Sequence, residues 1–108
     1  IKSGAFASCK SLKSVVIPST VTRVTDSYVA GAFENCTGLT SVTFKEGIAE
    51  AVIGQDSFNG CQSLLSVIIP GNYGKIGDSA FRKVLNMLNQ SIILNIQWEV
   101  QHLGIVNL

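Results

Sequence analysis

The sequence has little charge and no cluster of charge of one sign. Charged residues make up 14% of its 108 positions, and 8 Lys and Arg against 7 Asp and Glu leave a formal charge of +1. Nucleic acids and acidic membrane surfaces are held by clustered basic residues, so neither is an expected partner. Apolar runs are short beside the ~20 residues that span a bilayer, although 46% of the chain is hydrophobic. The composition therefore predicts one ordinary domain, or a piece of a longer protein, without membrane insertion.

Groups that carry catalysis or bind metals are equally scarce. The only histidine is His102, and the three cysteines are Cys9, Cys36 and Cys61. No Cys-x-x-Cys pair occurs, and cysteine spacings of 27 and 25 residues do not suit a zinc site. No Gly-x-Gly-x-x-Gly segment is present to hold a phosphate. We therefore expect no enzyme activity, no metal and no cofactor, and we interpret the cysteines as small buried apolar residues, with a disulfide between neighbouring copies left open.

What the sequence does contain is one short pattern written three times. It reads AFASCKSLKSVVIP from residue 5, AFENCTGLTSVTFK from residue 32 and SFNGCQSLLSVIIP from residue 57. Aligned on the phenylalanine, each copy has Cys at +3, Leu at +6, Val at +9 and Ile or Phe at +11. With a fourth phenylalanine, the spacings are 27, 25 and 23 residues between Phe6, Phe33, Phe58 and Phe81. A catalytic site needs such a set of residues once, whereas an architecture of stacked repeats needs it in every layer.

Each copy predicts one short strand followed by a turn of variable length. The segment Leu-x-x-Val-x-Ile is rich in β-branched residues and ends at a proline in two of the copies. Because side chains alternate along a strand, Val15 and Ile17 should face one side and Val16 the other. Equivalent strands are expected to stack in parallel, ~4.8 Å apart. The segments that follow are rich in Gly, Pro, Ser and Asp and are predicted to be turns. An isoleucine lies five residues before Phe6, Phe58 and Phe81, and Tyr28 is expected to take its place before Phe33.

The repeat resembles the leucine-rich repeat of BspA-type surface proteins, whose unit reads roughly I-G-x-x-A-F-x-x-C-x-x-L-x-x-V-x-I-P. It is matched here by IKSGAFASCKSLKSVVIP and by IGQDSFNGCQSLLSVIIP. The resemblance implies an α/β-type repeat solenoid, a right-handed superhelix with short parallel β-strands on one face and turns or short helical segments on the other. It also implies a non-enzymatic protein-binding module of a cell-surface or secreted adhesin, whose partner is a host extracellular or surface protein. A structural spacer within a larger multidomain protein is the alternative.

The resemblance covers residues 1–83 and weakens after them. We predict three full repeats and a fourth that begins near residue 76, followed at 84–108 by a degenerate repeat or a C-terminal cap. Apolar spacings of three and four from residue 79 to about 89 suit a helix, and strict alternation over 94–101 suits an amphipathic strand. That strand could instead form an oligomer contact through Trp98, or require a continuation. Because the chain begins inside a motif, we expect a fragment whose exposed apolar ends favour self-association.

The strand positions that the repetition leaves free to vary are candidates for binding. The candidate partner-binding face comprises Lys13, Ser14, Val16, Thr40, Ser41, Thr43, Leu65, Ser66 and Ile68. Its middle column, Val16, Thr43 and Ile68, is partly apolar and suits a protein partner better than a sugar or a phosphate. The alternative is that β-branched residues at these positions serve only to form the strands.

Overall fold

Residues 1–26 and 29–84 are described by a computed structural model of the chain. They form six short strands, which are β1 Ser14–Ile17, β2 Arg23–Val24, β3 Ser41–Phe44, β4 Ala51–Ile53, β5 Ser66–Ile68 and β6 Tyr73–Ile76. The odd-numbered strands make one parallel sheet in the order β1-β3-β5, and the even-numbered strands make a second in the order β2-β4-β6. The chain thus alternates between two sheets, and each circuit adds one strand to both. We call one such circuit a rung.

The first sheet is the one that the sequence predicts. Val15 pairs with Val42 and Val42 with Val67, so equivalent positions of the three copies lie in one column. Val42 and Val67 are buried, whereas Val16, the residue after Val15 in β1, is exposed. The expected parallel stacking and the expected alternation of side chains are therefore confirmed.

The second sheet corrects the prediction that only turns or short helical segments lie opposite the first. No helix occurs within residues 1–26 and 29–84, and the segments after the first sheet contain β2, β4 and β6. Their inward side chains form a buried column in which Val24 is in register with Ile53, and Ile53 with Ile76. Single β-branched residues among Gly and polar residues resemble a turn in sequence, but stacking supplies each of them with a neighbour above and below.

Tyr28, which was expected in this column, lies outside the described residues. Val24 is the residue of the second rung that pairs with Ile53, and Ile53 pairs with Ile76. Val24 precedes its phenylalanine, Phe33, by nine residues, whereas Ile53 precedes the next phenylalanine by five. The second rung therefore has a four-residue insertion between its strand and its phenylalanine.

The start of this insertion is held by hydrogen bonds between two buried hydroxyl groups and the neighbouring backbone. The hydroxyl oxygens of Thr25 and Ser57 lie 2.7 Å apart, and the backbone N–H of Ala32 donates to the Thr25 hydroxyl at 2.9 Å. The Ser57 hydroxyl also approaches the Gly54 carbonyl at 2.7 Å. Both side chains are buried, and these bonds satisfy the polar atoms that burial would otherwise leave unpaired.

A third side of each rung is a tight turn around the phenylalanine, comprising residues 4–9, 31–36, 56–61 and 79–84. The backbone N–H of Cys36 donates to the Phe33 carbonyl, and that of Leu39 to the Cys36 carbonyl, so each bond closes over three residues. The residue two positions after each phenylalanine has positive φ, and these residues are Ser8, Asn35, Gly60 and Lys83. The turns are joined to one another by bonds such as that from the Phe33 N–H to the Ser57 carbonyl, 2.8 Å.

The fourth turn bears on the helix expected from residue 79. Residues 79–84 form the turn around Phe81, and Ser79 and Lys83 have φ values of 58° and 56°, which an α-helix does not accommodate. The remainder of that prediction, residues 85–108, lies outside the described residues, as do the amphipathic strand, Trp98 and His102. The division of the chain at residue 83 stays a prediction.

The core is built around a column of phenylalanine rings. The rings of Phe6, Phe33, Phe58 and Phe81 lie face to face at centroid separations of 5.1, 5.1 and 5.4 Å, with interplanar angles of 7° or less. Phe44 approaches the ring of Phe58 edge-on at 6.0 Å and thereby joins the first sheet to this column. The spacing of the rings matches the separation of neighbouring strands closely enough for one ring per rung.

Candidate binding face

The outward column of the first sheet is apolar at two of its three positions. Val16 pairs with Thr43 and Thr43 with Ile68, which places the three side chains side by side across the strands. Val16 is 60% exposed and Ile68 66% exposed, and Thr43 is exposed between them. A shallow depression of about 320 Å³ beside this column is lined by Ser41, Val42, Thr43, Phe44 and Ile68.

A second group of predicted residues lies at the N-terminal ends of the three strands. The backbone N–H of Thr40 donates to the Lys13 carbonyl at 2.8 Å, and that of Leu65 to the Thr40 carbonyl at 3.1 Å. Leu65 is 62% exposed, and the Lys13 side chain is also exposed. These residues directly precede β1, β3 and β5, and Leu65 adds an exposed apolar side chain at that end of the sheet.

The serine column completes the predicted set. Ser14 pairs with Ser41 and Ser41 with Ser66, and the side chains of Ser14 and Ser41 are exposed. The structure therefore brings the nine predicted positions together on one sheet.

Two of the three cysteines fulfil the expectation of a core residue. The thiols of Cys36 and Cys61 are buried and donate to the carbonyls of Phe6 and Phe33 at 3.0 and 3.1 Å. Burial raises the pKa of the Cys61 thiol to about 12 and also raises the pKa of Cys36. A thiol held neutral in this way is a poor nucleophile and a poor metal ligand.

Cys9 corrects the expectation, because it is exposed. It belongs to the first rung, and within the described part of the chain no rung lies on its outer side to cover it. All three cysteines have free thiols. Among residues 1–26 and 29–84 no group of three or more His, Cys, Asp and Glu side chains is placed to hold a metal ion.

A groove on the outer face of the second sheet was not predicted. Arg23 pairs with Val52 and Val52 with Lys75, so two cations flank an apolar side chain across the strands. The groove has a volume of about 540 Å³, and Gln55 and Asp78 also line it. Sequence reasoning missed this surface because its strands are two to four residues long and lie in segments that read as turns.

The geometry is thus that of a repeat protein with two sheets, and comparison with protein families agrees with it. The family model described as BspA type leucine rich repeat region matches residues 1–100 in six copies. The chain belongs to the BspA-type leucine-rich repeat family. Neither the comparison with curated proteins nor the comparison with solved structures finds a match. Membership makes this BspA-type chain a leucine-rich repeat module, a kind of module that in general serves interaction and not catalysis.

Residues 1–26 and 29–84 contain no helix with the length and hydropathy required to cross a bilayer.

Proposed function

We propose that this BspA-type chain is a non-enzymatic protein-binding module of a cell-surface or secreted adhesin, and that it binds through the outer face of the first sheet. The exposed apolar side chains of Val16, Leu65 and Ile68 on that face carry the proposal. Exposed apolar side chains held together on rigid strands favour a protein partner. The rungs would be part of a right-handed superhelix, as the family resemblance implies.

The dimensions of the face indicate how it would bind. Four-residue strands are about 13 Å long and three of them are about 10 Å across, a footprint of about 130 Å². A stable protein interface covers about 800 Å² of each partner. The face therefore supplies only part of a stable interface, and a partner would also contact flanking turns or further rungs.

A structural spacer is the second candidate, and the composition of the face favours it. None of the nine predicted positions is Trp, Tyr or Arg, the residues that most often dominate binding energy at interfaces. β-branched residues at Val16, Thr43 and Ile68 would form strands equally well without a partner. A spacer predicts that these side chains can be changed without loss of any interaction.

Adhesion of coated beads separates the two candidates. Beads carrying the full chain are applied to cultured epithelial cells, and retained beads are counted after washing. The variant Val16→Thr/Leu65→Thr/Ile68→Thr removes the apolar surface and keeps or introduces β-branched residues, so that the strands should still form. The matched control is Val52→Thr on the second sheet, and far-UV circular dichroism checks that each variant folds.

The binding module predicts at least tenfold fewer retained beads for the triple variant than for the wild-type chain and the control. Treatment of the cells with protease beforehand should abolish retention, because the partner is a protein. Equal retention of the triple variant and the wild-type chain would overturn the proposal and favour the spacer.

A further inference from the structure

The charges of the chain are distributed unevenly around the fold. The segments that contain the first sheet and its approaches, residues 10–18, 37–45 and 62–70, carry Lys10, Lys13 and Lys45 and no Asp or Glu. The rest of the chain has 5 Lys and Arg against 7 Asp and Glu. The strands of the first sheet hold no charged residue themselves; Lys13 directly precedes β1, Lys45 directly follows β3, and the exposed Glu46 comes after Lys45.

These three lysines are available to a partner. Their side chains are exposed, and none of them forms an ion pair or a side-chain hydrogen bond within the described part of the chain. The ammonium of Lys13 lies beside Gly38 of the next rung, so its charge lies at the end of the sheet where β1 and β3 begin. A carboxylate arriving at this edge would not have to displace a partner that the lysine already has.

Lys13 and Lys45 stand on opposite sides of the apolar column, Lys13 directly before β1 and Lys45 directly after β3. Because Ser14 pairs with Ser41, Lys13 is level with Thr40, and Lys45 lies five residues further along the next strand. At about 3.3 Å per residue and one strand spacing across, their Cα atoms are about 17 Å apart. Val16 and Thr43 lie between them.

From this arrangement we infer that the first sheet recognises an acidic, amphipathic protein segment in extended conformation, with a pair of acidic residues at each end, the pairs about five residues apart, and apolar residues between them. Because side chains alternate along an extended segment, each pair directs one carboxylate toward the sheet. Five extended residues span about 17 Å, which is the separation of Lys13 and Lys45. The apolar residues between them would cover Val16 and Thr43, while the carboxylates meet Lys13 and Lys45 at the two ends of the strands. The inference rests on the proposed function and adds the chemistry of the partner.

The probe is a fluorescein-labelled peptide, acetyl-EEVILVEE-amide, in which the inner glutamates are five residues apart. Its binding to the full chain is measured by fluorescence anisotropy at 20 and 300 mM NaCl. The control peptide KKVILVKK has the same apolar centre and the opposite charge. Heparin and vesicles of phosphatidylserine and phosphatidylcholine are tested as sulfated and lipid sources of negative charge.

The decisive variant is Lys13→Glu/Lys45→Glu, and its matched control is Arg23→Glu/Lys75→Glu on the second sheet. Both pairs change the total charge by the same amount, so only the position of the charge differs. We expect the first pair to weaken binding of EEVILVEE about tenfold at 20 mM NaCl, and the second to change it less than twofold. Raising the salt to 300 mM should remove most of this difference, because exposed charges are screened.

Equal weakening by the two double variants would overturn the inference, since total charge and not the first sheet would then govern binding. Absence of binding by EEVILVEE, equal binding of KKVILVKK, or stronger binding to heparin or vesicles than to EEVILVEE would also overturn it. The proposed function fails separately. If the threonine triple variant loses bead adhesion while Lys13→Glu/Lys45→Glu keeps it, the face binds a protein but the acidic partner is wrong.

Discussion

Removal of the Phe58 ring tests whether the phenylalanine column holds the rungs together. Phe58 is fully buried and is stacked on Phe33 and Phe81. Truncation of a buried phenylalanine to alanine costs about 3–5 kcal/mol, as lost burial and as a cavity. Small domains have only about 5–15 kcal/mol of stability in total. We therefore expect Phe58→Ala to lower the free energy of unfolding by about 3–5 kcal/mol and Phe58→Leu, which keeps part of the volume, to lower it by about 2 kcal/mol.

Phe6 is the matched control, because it occupies the same position in the first rung. It is 44% exposed and, among the described residues, stacks on one ring, Phe33. Phe6→Leu should therefore cost about half as much as Phe58→Leu, about 1 kcal/mol, because less surface and one stacking contact are lost.

The assay is urea unfolding of the full chain, followed by far-UV circular dichroism. The free energy of unfolding is taken from the midpoint and the slope of each variant. Equal losses for the two leucine variants would refute the reasoning, since they would show that stacking on two sides contributes nothing beyond stacking on one. A larger loss for Phe6→Leu would refute it more directly.

Four further predictions concern the turns and the thiols. Gly31→Ala should destabilise the chain by more than about 2 kcal/mol in the same urea assay, because the added methyl group would collide with the backbone of the next rung. Gly71 faces open space, so the control Gly71→Ala should change stability by less than about 0.5 kcal/mol. Ser8→Gly should raise the free energy of unfolding by up to about 1 kcal/mol, because Ser8 has a φ of 60°, and no gain would contradict this account of the turn. The folded-state pKa of Cys61, about 12, lies above the usual 9.0. The neutral Cys61 thiol should therefore contribute its full stabilisation below pH 9. Between pH 9 and 12 the free energy of unfolding should decline by about 1.4 kcal/mol per pH unit. Cys61→Ala should flatten that decline, and with iodoacetamide at pH 8 the exposed Cys9 should be the first thiol modified.

The first sheet could be predicted from sequence because its signal is repeated in phase. Val15, Val42 and Val67 recur at one offset from a phenylalanine, and each is followed by an outward residue and then by an inward one. A pattern seen once would be ambiguous, but three copies fix both the register and the inward face. Six of the nine positions of the candidate face follow from this alternation, whereas Lys13, Thr40 and Leu65 directly precede the strands and are two residues from an inward valine.

The second sheet could not be predicted in the same way. Its strands contribute one inward column, Val24, Ile53 and Ile76, and β2 is only two residues long. Such strands owe their stability to the rungs above and below them and not to local propensity. The groove between Arg23 and Lys75 was therefore missed together with the strands that form it.

The sequence predicted a helix from residue 79 because the phenylalanine turns share a residue spacing with helices. In the phenylalanine turns, each hydrogen bond closes over three residues, so buried side chains recur at intervals of three, as in Phe58, Cys61 and Leu64. Phe81 and Val84 continue the same spacing. Intervals of three also occur on one side of a helix, and the sequence alone does not separate the two structures. The positive φ at Lys83 does separate them.

The bonds between neighbouring phenylalanine turns have a consequence for how the chain folds. The backbone N–H groups of Phe6, Phe33 and Phe58 donate to carbonyls that lie 26, 24 and 22 residues further along the chain. No rung can satisfy these N–H groups by itself. The first step of folding must therefore close a loop of roughly 25 residues, at an entropic cost, before any of these hydrogen bonds can form. Each later rung is added to an edge that is already ordered. The entropic barrier to folding is therefore concentrated in the first pair of rungs, and lengthening the array should increase stability more than it slows folding.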